Sequence, residues 1–179
     1  MTLEICRRHL QRDPELAEIR NLQVCFCRLL QAAVSGDGNQ LRETPGAAAF
    51  LRELQAHPSW RIAIATGGWE ISARFKLLSA GLAVESFPLA TADDSPSRAE
   101  ILRTAIRRAG QRYGQASFQR TVYIGDAVWD VRAAKAPGVG FLGIAVGERA
   151  RSLLHEGAPF VLPDFTEIPK AMRRLEAVT

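Results

Sequence analysis

At 179 residues, 47% of them hydrophobic, the chain is long enough to bury a respectable core in one domain with a small appendage. Its net charge is +4, and of its 23 basic residues all but Lys76, Lys135 and Lys170 are Arg. The arginines are spread along the chain, and the densest run (Arg103, Arg107, Arg108, Arg112) has the helical spacing of a solvated face. With only 7% aromatic residues there is no stacking platform beside it, so nucleic acid is not an expected partner. No signal peptide or membrane-spanning apolar run is present. Cys6, Cys25 and Cys27 are odd in number and lack Cys-x-x-Cys spacing, which reads as reduced thiols in a cytoplasmic protein. His9, His57 and His155 have no nucleophile motif nearby, which argues against a hydrolase triad.

In chain order, residues from Thr2 to Leu10 and from Asp13 to about Val34 read as helices. Asp13-Pro14-Glu15 supplies an N-cap, a proline for the first helical position and an early acid. Ser35 to Asn39 is a polar linker, so residues 1–40 form a helical piece and 41–179 the remainder. Thr44-Pro45 starts a helix through about Ala56. Arg61 to Ala65 is an apolar strand running into Thr66-Gly67-Gly68. A helix from Trp69 to Ala80 follows, with apolar Ile71, Phe75 and Leu78 and a stop at Gly81. Phe87 to Thr91 is a candidate strand, and Ser95-Pro96 opens a helix with Ser97 and Glu100 spaced as a capping box. A strand ending at Gly125, a helix near Val131 to Ala136, and strands at Phe141–Val146 and Phe160–Leu162 come next. Thr166 is the expected cap of a last helix. Strands alternating with helices imply a parallel, Rossmann-like α/β sheet with helices on both faces.

Two segments carry chemistry. Val122 to Asp130 is a short apolar strand closed by Gly125, followed by Asp126 and Asp130, four residues apart. Ligands of open α/β sheets gather outside the carboxyl ends of such strands, and paired carboxylates there suit a hard divalent cation. The same residues equally suit a helix start, with Asp126 as cap and Asp130 facing solvent. Upstream, Ile62-Ala63-Ile64-Ala65-Thr66-Gly67-Gly68 ends a strand in a hydroxyl and free backbone N–H groups at a helix start, the makings of an anion site.

Taken together and in order, Thr66 with its preceding strand, the basic Arg98, and Gly125-Asp126 with Asp130 resemble motifs II, III and IV of the haloacid dehalogenase (HAD) superfamily, in its phosphoglycolate phosphatase-like form. The similarity continues through Ala133 to Val139 and Ile144 to Gly147. It implies a HAD-like core at residues 41–179, and residues 1–40 as the remnant of a helical cap. It also implies a Mg²⁺-dependent phosphatase of a small phosphorylated metabolite. In that scheme Thr66, Gly67, Gly68 and Arg98 bind the phosphoryl group, Thr66 and Arg98 act in catalysis, and Asp126 and Asp130 hold the metal. Arg is a good phosphate partner but does not replace the family's usual Lys conservatively. Gly125 before Asp126 argues against the dehalogenase branch and, less strongly, against the mutase branch.

One part of the family pattern is missing. No Asp-x-Asp at the end of a strand occurs in the 179 residues: Asp13, Asp37, Asp93, Asp94 and Asp164 all lie in other contexts. The nucleophile is therefore absent from this sequence, and the chain is expected to be inactive or impaired and to bind Mg²⁺ weakly or not at all. A non-catalytic HAD-like phosphate-binding protein and a truncated gene product are the alternatives. The missing strand would lie at the sheet centre, where four or five buried side chains at ~1.5–3 kcal/mol each amount to roughly 10 kcal/mol. Its loss is met by truncation (the preferred reading), by a rearranged sheet, or by another segment or chain filling the slot. The last leaves self-association through the unpaired sheet centre open.

Overall fold

A computed structural model describes residues 2–35, 40–135 and 138–178. Helices α1 (Thr2–Leu10) and α2 (Leu16–Ser35) precede the α/β part. That part runs α3 (Ala47–Ala56), β1 (Ile64–Ala65), α4 (Glu70–Ser79), β2 (Leu89–Ala90), α5 (Arg98–Tyr113), β3 (Val122–Gly125) and α6 (Val128–Lys135). It ends with β4 (Gly140–Ile144), α7 (Gly147–Glu156), β5 (Phe160–Leu162) and α8 (Ile168–Ala177). All pairing among the described strands is parallel, as the alternation implies.

Several element starts differ from expectation, each for a local electrostatic or steric reason. Asp13 does not cap α2. Its carboxylate goes to Arg7, while Glu18 takes both Arg12 and the Glu15 N–H, so the helix opens at Leu16. Thr44-Pro45-Gly46 is a turn, with Gly46 left-handed at φ 79°, and α3 begins only at Ala47. Thr166 gives its N–H and its hydroxyl to the Asp164 carboxylate, so it caps nothing, and α8 opens at Ile168. Ile71 and Leu78 of α4 are exposed rather than packed. Between β4 and β5 the chain forms α7, a helix that the sequence pattern does not announce. Most of the expected Ser35–Asn39 linker, Asp37 included, lies outside the described residues.

The sheet is in two parts. β1 pairs with β2, and β3, β4 and β5 form a separate three-stranded ladder with β4 in the middle. Side chains alternate faces along each strand. Leu142 and Ile144 therefore meet Phe50 and Leu54 of α3 and Ala171 and Leu175 of α8 on one face. On the opposite face Phe141 meets Val131 and Ala134 of α6 and Leu153 of α7. Ala63 and Ala65 pack on Ile101 and Ala105 of α5. Ile62 joins Val122 and Ile124 against the Phe50 cluster, so the two parts stand side by side over one core. β4 is buried along its whole length, whereas β1 and β3 are only half-buried. The sheet has not rearranged to close.

α2 docks on α4 through an edge-to-face contact of Phe26 with Trp69 (centroids 5.8 Å apart), with Lys76 over the Phe26 ring. Gln23 also donates to Asp93, in the loop after β2, at 2.7 Å. That loop is tied to α5 by Arg108, whose guanidinium forks onto both Asp94 oxygens at 2.8 and 2.7 Å and reaches the Leu89 carbonyl. The Arg108 hydrogen bond holds the Asp94 carboxyl below its ordinary value. A depressed acid contributes stability above its unfolded value and loses it as pH falls through the folded one. Arg108→Gln should cost about 1 kcal/mol at pH 7 after solvent screening. That cost should fade below the ordinary value of 3.8; urea denaturation at several pH values measures the difference.

Candidate active site

At the end of β1 the chain turns through Thr66-Gly67-Gly68 into α4. The Thr66 hydroxyl oxygen accepts the Gly68 N–H at 3.1 Å, a side-chain-closed turn. That N–H, expected to face an anion, is thus already engaged, and the Gly68 carbonyl accepts from Ala92. Asp93 takes the Glu70 N–H at 2.7 Å and satisfies one donor at the start of α4. Gly67 has a different reason to be glycine. A Cβ there would lie 2.7 Å from Nη1 of Arg98, so the guanidinium rests directly on this backbone.

Arg98 is the first residue of α5, placed by Ser97, whose hydroxyl accepts the Glu100 N–H. From Gly67 the guanidinium reaches across to Asp130, with Nε 3.3 Å from Oδ1. Asp130, in the first turn of α6, also accepts the Tyr123 hydroxyl at 3.0 Å. Its side chain is 6% exposed. Gly125 is bare for lack of room, since a Cβ would fall 2.7 Å from the Cβ of Asp130. Burial pushes the Asp130 carboxyl up, against the pull of Arg98 and of the Tyr123 hydrogen bond. Burial, reinforced by the Asp130 charge, pushes the Tyr123 phenol up as well.

Asp126, by contrast, is 64% exposed and meets Arg149 of α7 at 3.2 Å. It stands at the edge of an open cleft of about 890 Å³ over the carboxyl ends of β3, β4 and β5, lined also by Thr44, Val146, Glu148 and Phe165. Thr66 and Arg98 are not among the residues lining that cleft. A chain of contacts therefore links Gly67 to Arg98, Arg98 to Asp130, and Asp130 to Gly125, next to Asp126, with Thr66 adjoining Gly67 in the turn. Gly68 adjoins them but spends its N–H within the turn.

The donors present fall short of a Mg²⁺ site. Asp130 is inside and shared by Arg98 and Tyr123, leaving Asp126 as the accessible carboxylate of the pair, itself in contact with Arg149. Among the described residues no three His, Cys, Asp or Glu side chains cluster as a metal set. The remaining described aspartates do structural work: Asp13 with Arg7, Asp93 with Glu70, Asp94 with Arg108, and Asp164 with Thr166. Three contributors escaped the sequence reading: Tyr123, Arg149 and Asp93. Tyr123 had a signal, lying two residues before Gly125 on the strand face that α6 covers. Arg149 and Asp93 had none beyond position near a strand end.

Similarity to known proteins bears on the family and the fold. The sequence pattern of the haloacid dehalogenase-like hydrolases matches residues 6–138. A solved structure of a hydrolase from Pseudomonas syringae is 23% identical, with a TM-score of 0.57, over 73% of this chain and 60% of that one. The chain thus spans less than two thirds of that protein's length. A putative beta-phosphoglucomutase from Bacteroides vulgatus is 18% identical (TM-score 0.63), over 98% of this chain and 69% of the other. A haloacid dehalogenase-like protein from Agrobacterium tumefaciens is 17% identical (TM-score 0.60), over 98% and 77%. At such identities the solved structures bear on the fold alone. No curated protein matches the chain. On the match to most of its length, the chain belongs to the haloacid dehalogenase-like hydrolases.

Proposed function

We propose that this chain is the phosphate-binding core of a HAD-type phosphatase of small phosphate esters, and that the 179 residues by themselves bind phosphate without turning it over. The observation that carries the reading is the Arg98 guanidinium, resting on Gly67 and tethered to Asp130 where the ends of β1 and β3 converge. A planar cation over a bare backbone suits a phosphoryl group, which takes charge-assisted hydrogen bonds from Arg. Thr66 and Gly67 contribute the hydroxyl and the close approach. Asp130 acts by holding Arg98 in place. Asp126 is the direct metal ligand in this reading. With so few protein oxygens, Mg²⁺, which dehydrates reluctantly, is held weakly and only once Arg149 releases the carboxylate.

A non-catalytic phosphate binder is the second reading. It is favoured by the structural engagement of Asp13, Asp93, Asp94 and Asp164, which leaves no described aspartate in line as nucleophile. Many arginines are likewise paired with carboxylates, among them Arg12, Arg74, Arg132 and Arg151, which supports a small anionic ligand over nucleic acid. Titration calorimetry with inorganic phosphate should register binding that Arg98→Ala weakens by roughly 10-fold or more, the worth of a charge-assisted contact. Hydrolysis of an aryl phosphate with Mg²⁺ should stay at background, since loss of a nucleophile removes many orders of magnitude in rate. Robust turnover abolished by Asp126→Ala would overturn the inactivity, and phosphate binding indifferent to Arg98 would overturn the site.

A further inference from the structure

At the amino ends of β1 and β2 a proline ends the ladder between them. The pairing of Ile64 with Leu89 sends the Ile64 N–H to the Pro88 carbonyl. Two residues earlier, the same parallel pattern turns the Ile62 carbonyl to the Pro88 nitrogen, which carries no hydrogen. The hydroxyl of Tyr113, the last residue of α5, donates to that carbonyl instead, at 2.8 Å. The break lies on the side of β1 that faces β2, away from the edge that faces β3.

Beside this break is a hollow of about 300 Å³. Leu54, Trp60, Phe87 and Tyr113 supply the apolar part of its lining, Arg61 and Arg112 the charged part. No Asp or Glu among the described residues lines it. Arg61 is already set in place. Its Nη1 donates to the Pro58 and Trp60 carbonyls, both at 2.8 Å, and its guanidinium lies over the Tyr113 ring, 5.8 Å from the centroid. Arg103 and Arg108 of α5 are paired with Glu100 and Asp94. Arg112, exposed in the last turn of the same helix, has no hydrogen bond or ion pair among the described residues.

We propose that this hollow binds a small aromatic carboxylate, its ring against Trp60, Phe87 and Tyr113 and its carboxylate at Arg61 and Arg112. Aromatic walls favour a flat ring in offset or edge-on contact. Two guanidinium groups without an acid in the lining favour an anion, and the planar fork of Arg matches the two oxygens of a carboxylate. The volume stands at the lower end of the range for ligand pockets, about 300–1,000 Å³, which limits the ligand to one or two rings. Thr66, Gly67, Arg98 and Asp126 do not line the hollow. Ile62 is separated from Thr66 by roughly 13 Å of extended chain, so the hollow does not depend on the phosphate reading.

The probe is naphthoate, titrated into the 179-residue chain and followed by NMR. The Trp60 indole N–H and the amides of Phe87, Arg112 and Tyr113 should shift saturably, with a Kd of about 1 mM or tighter. Naphthamide keeps the ring without the charge, and cyclohexanecarboxylate keeps the charge without the aromatic ring. Each should bind about 10-fold more weakly or worse, and so should naphthoate to Arg112→Gln, a substitution that removes no contact within the fold. Equal affinity in any of the three comparisons overturns the proposal. So does the absence of saturable shifts at the four positions, or shifts confined to Thr66, Gly67 and Arg98. Inorganic phosphate in excess should leave the naphthoate affinity unchanged, and competition between the two would overturn a separate site. Naphthoate binding by a chain that takes up no phosphate leaves the hollow standing and removes the phosphate site.

Discussion

Asp130→Ala is expected to destabilise the chain by about 3 kcal/mol, the lower end for breaking a buried ion pair, because Arg98 retains partial access to water. The substitution removes the one carboxylate that meets both the Arg98 guanidinium and the Tyr123 hydroxyl, and leaves both groups facing a vacated space. Urea denaturation at pH 7 measures the loss, and an unchanged midpoint would contradict the assigned role. Asp130→Asn separates charge from shape. The folded Asp130 carboxyl lies above its ordinary 3.8, so the folded state keeps that proton to higher pH than the unfolded chain does. Its contribution to stability is therefore fullest in acid and is given up as pH rises through the raised value. Relative to the Asn variant, which does not titrate there, the native chain should lose stability as pH climbs from 3.8 toward neutrality. This is opposite in sign to the Asp94–Arg108 pair, so the two effects are separable in one pH series.

Gly46→Ala should cost a comparable amount, about 2–5 kcal/mol. Gly46 has φ +79°, which costs an L side chain roughly 1–2 kcal/mol. Its added Cβ would also stand 2.6 Å from the Phe165 carbonyl carbon and oxygen and 2.8 Å from the Thr166 nitrogen. Those are backbone atoms, so relief requires separating two segments, at an overpacking cost of about 1–3 kcal/mol. The segments matter to the core and to the cleft. Phe165 donates its N–H to the Pro45 carbonyl and stacks on Phe50 with centroids 4.8 Å apart. Thermal unfolding should register a fall of roughly 4–20 °C. Gly81→Ala is the control: its φ is +76° but nothing lies within 4 Å of the added Cβ, so only the conformational cost applies. Equal losses at the two positions would mean that the close approach at Gly46 contributes nothing.

What the sequence determined by itself was local. β5 lies at Phe160–Leu162 as read, β3 closes at Gly125, and Ser97 caps α5, because apolar runs, glycine stops and hydroxyl caps act through nearest neighbours. The parallel α/β class was legible from the alternation of strands and helices, while Thr66, Arg98, Asp126 and Asp130 were legible only as a resemblance in order and spacing. Tertiary structure decided the rest. Asp13 and Thr166 are sound caps by type, yet Arg7 and Asp164 compete for their polar groups, and α2 and α8 start later. Asp126 and Asp130 look equivalent on spacing. Asp126 lies in the turn before α6, outside beside Arg149, and Asp130 in the first turn of α6, inside between Arg98 and Tyr123, where burial pushes its carboxyl up and gives it a different task. That the sheet stands in two parts is likewise a tertiary fact. Each strand's pattern specifies an apolar, extended run, but only the packing of α3, α5, α6 and α8 around those runs decides which edges meet and which stay open.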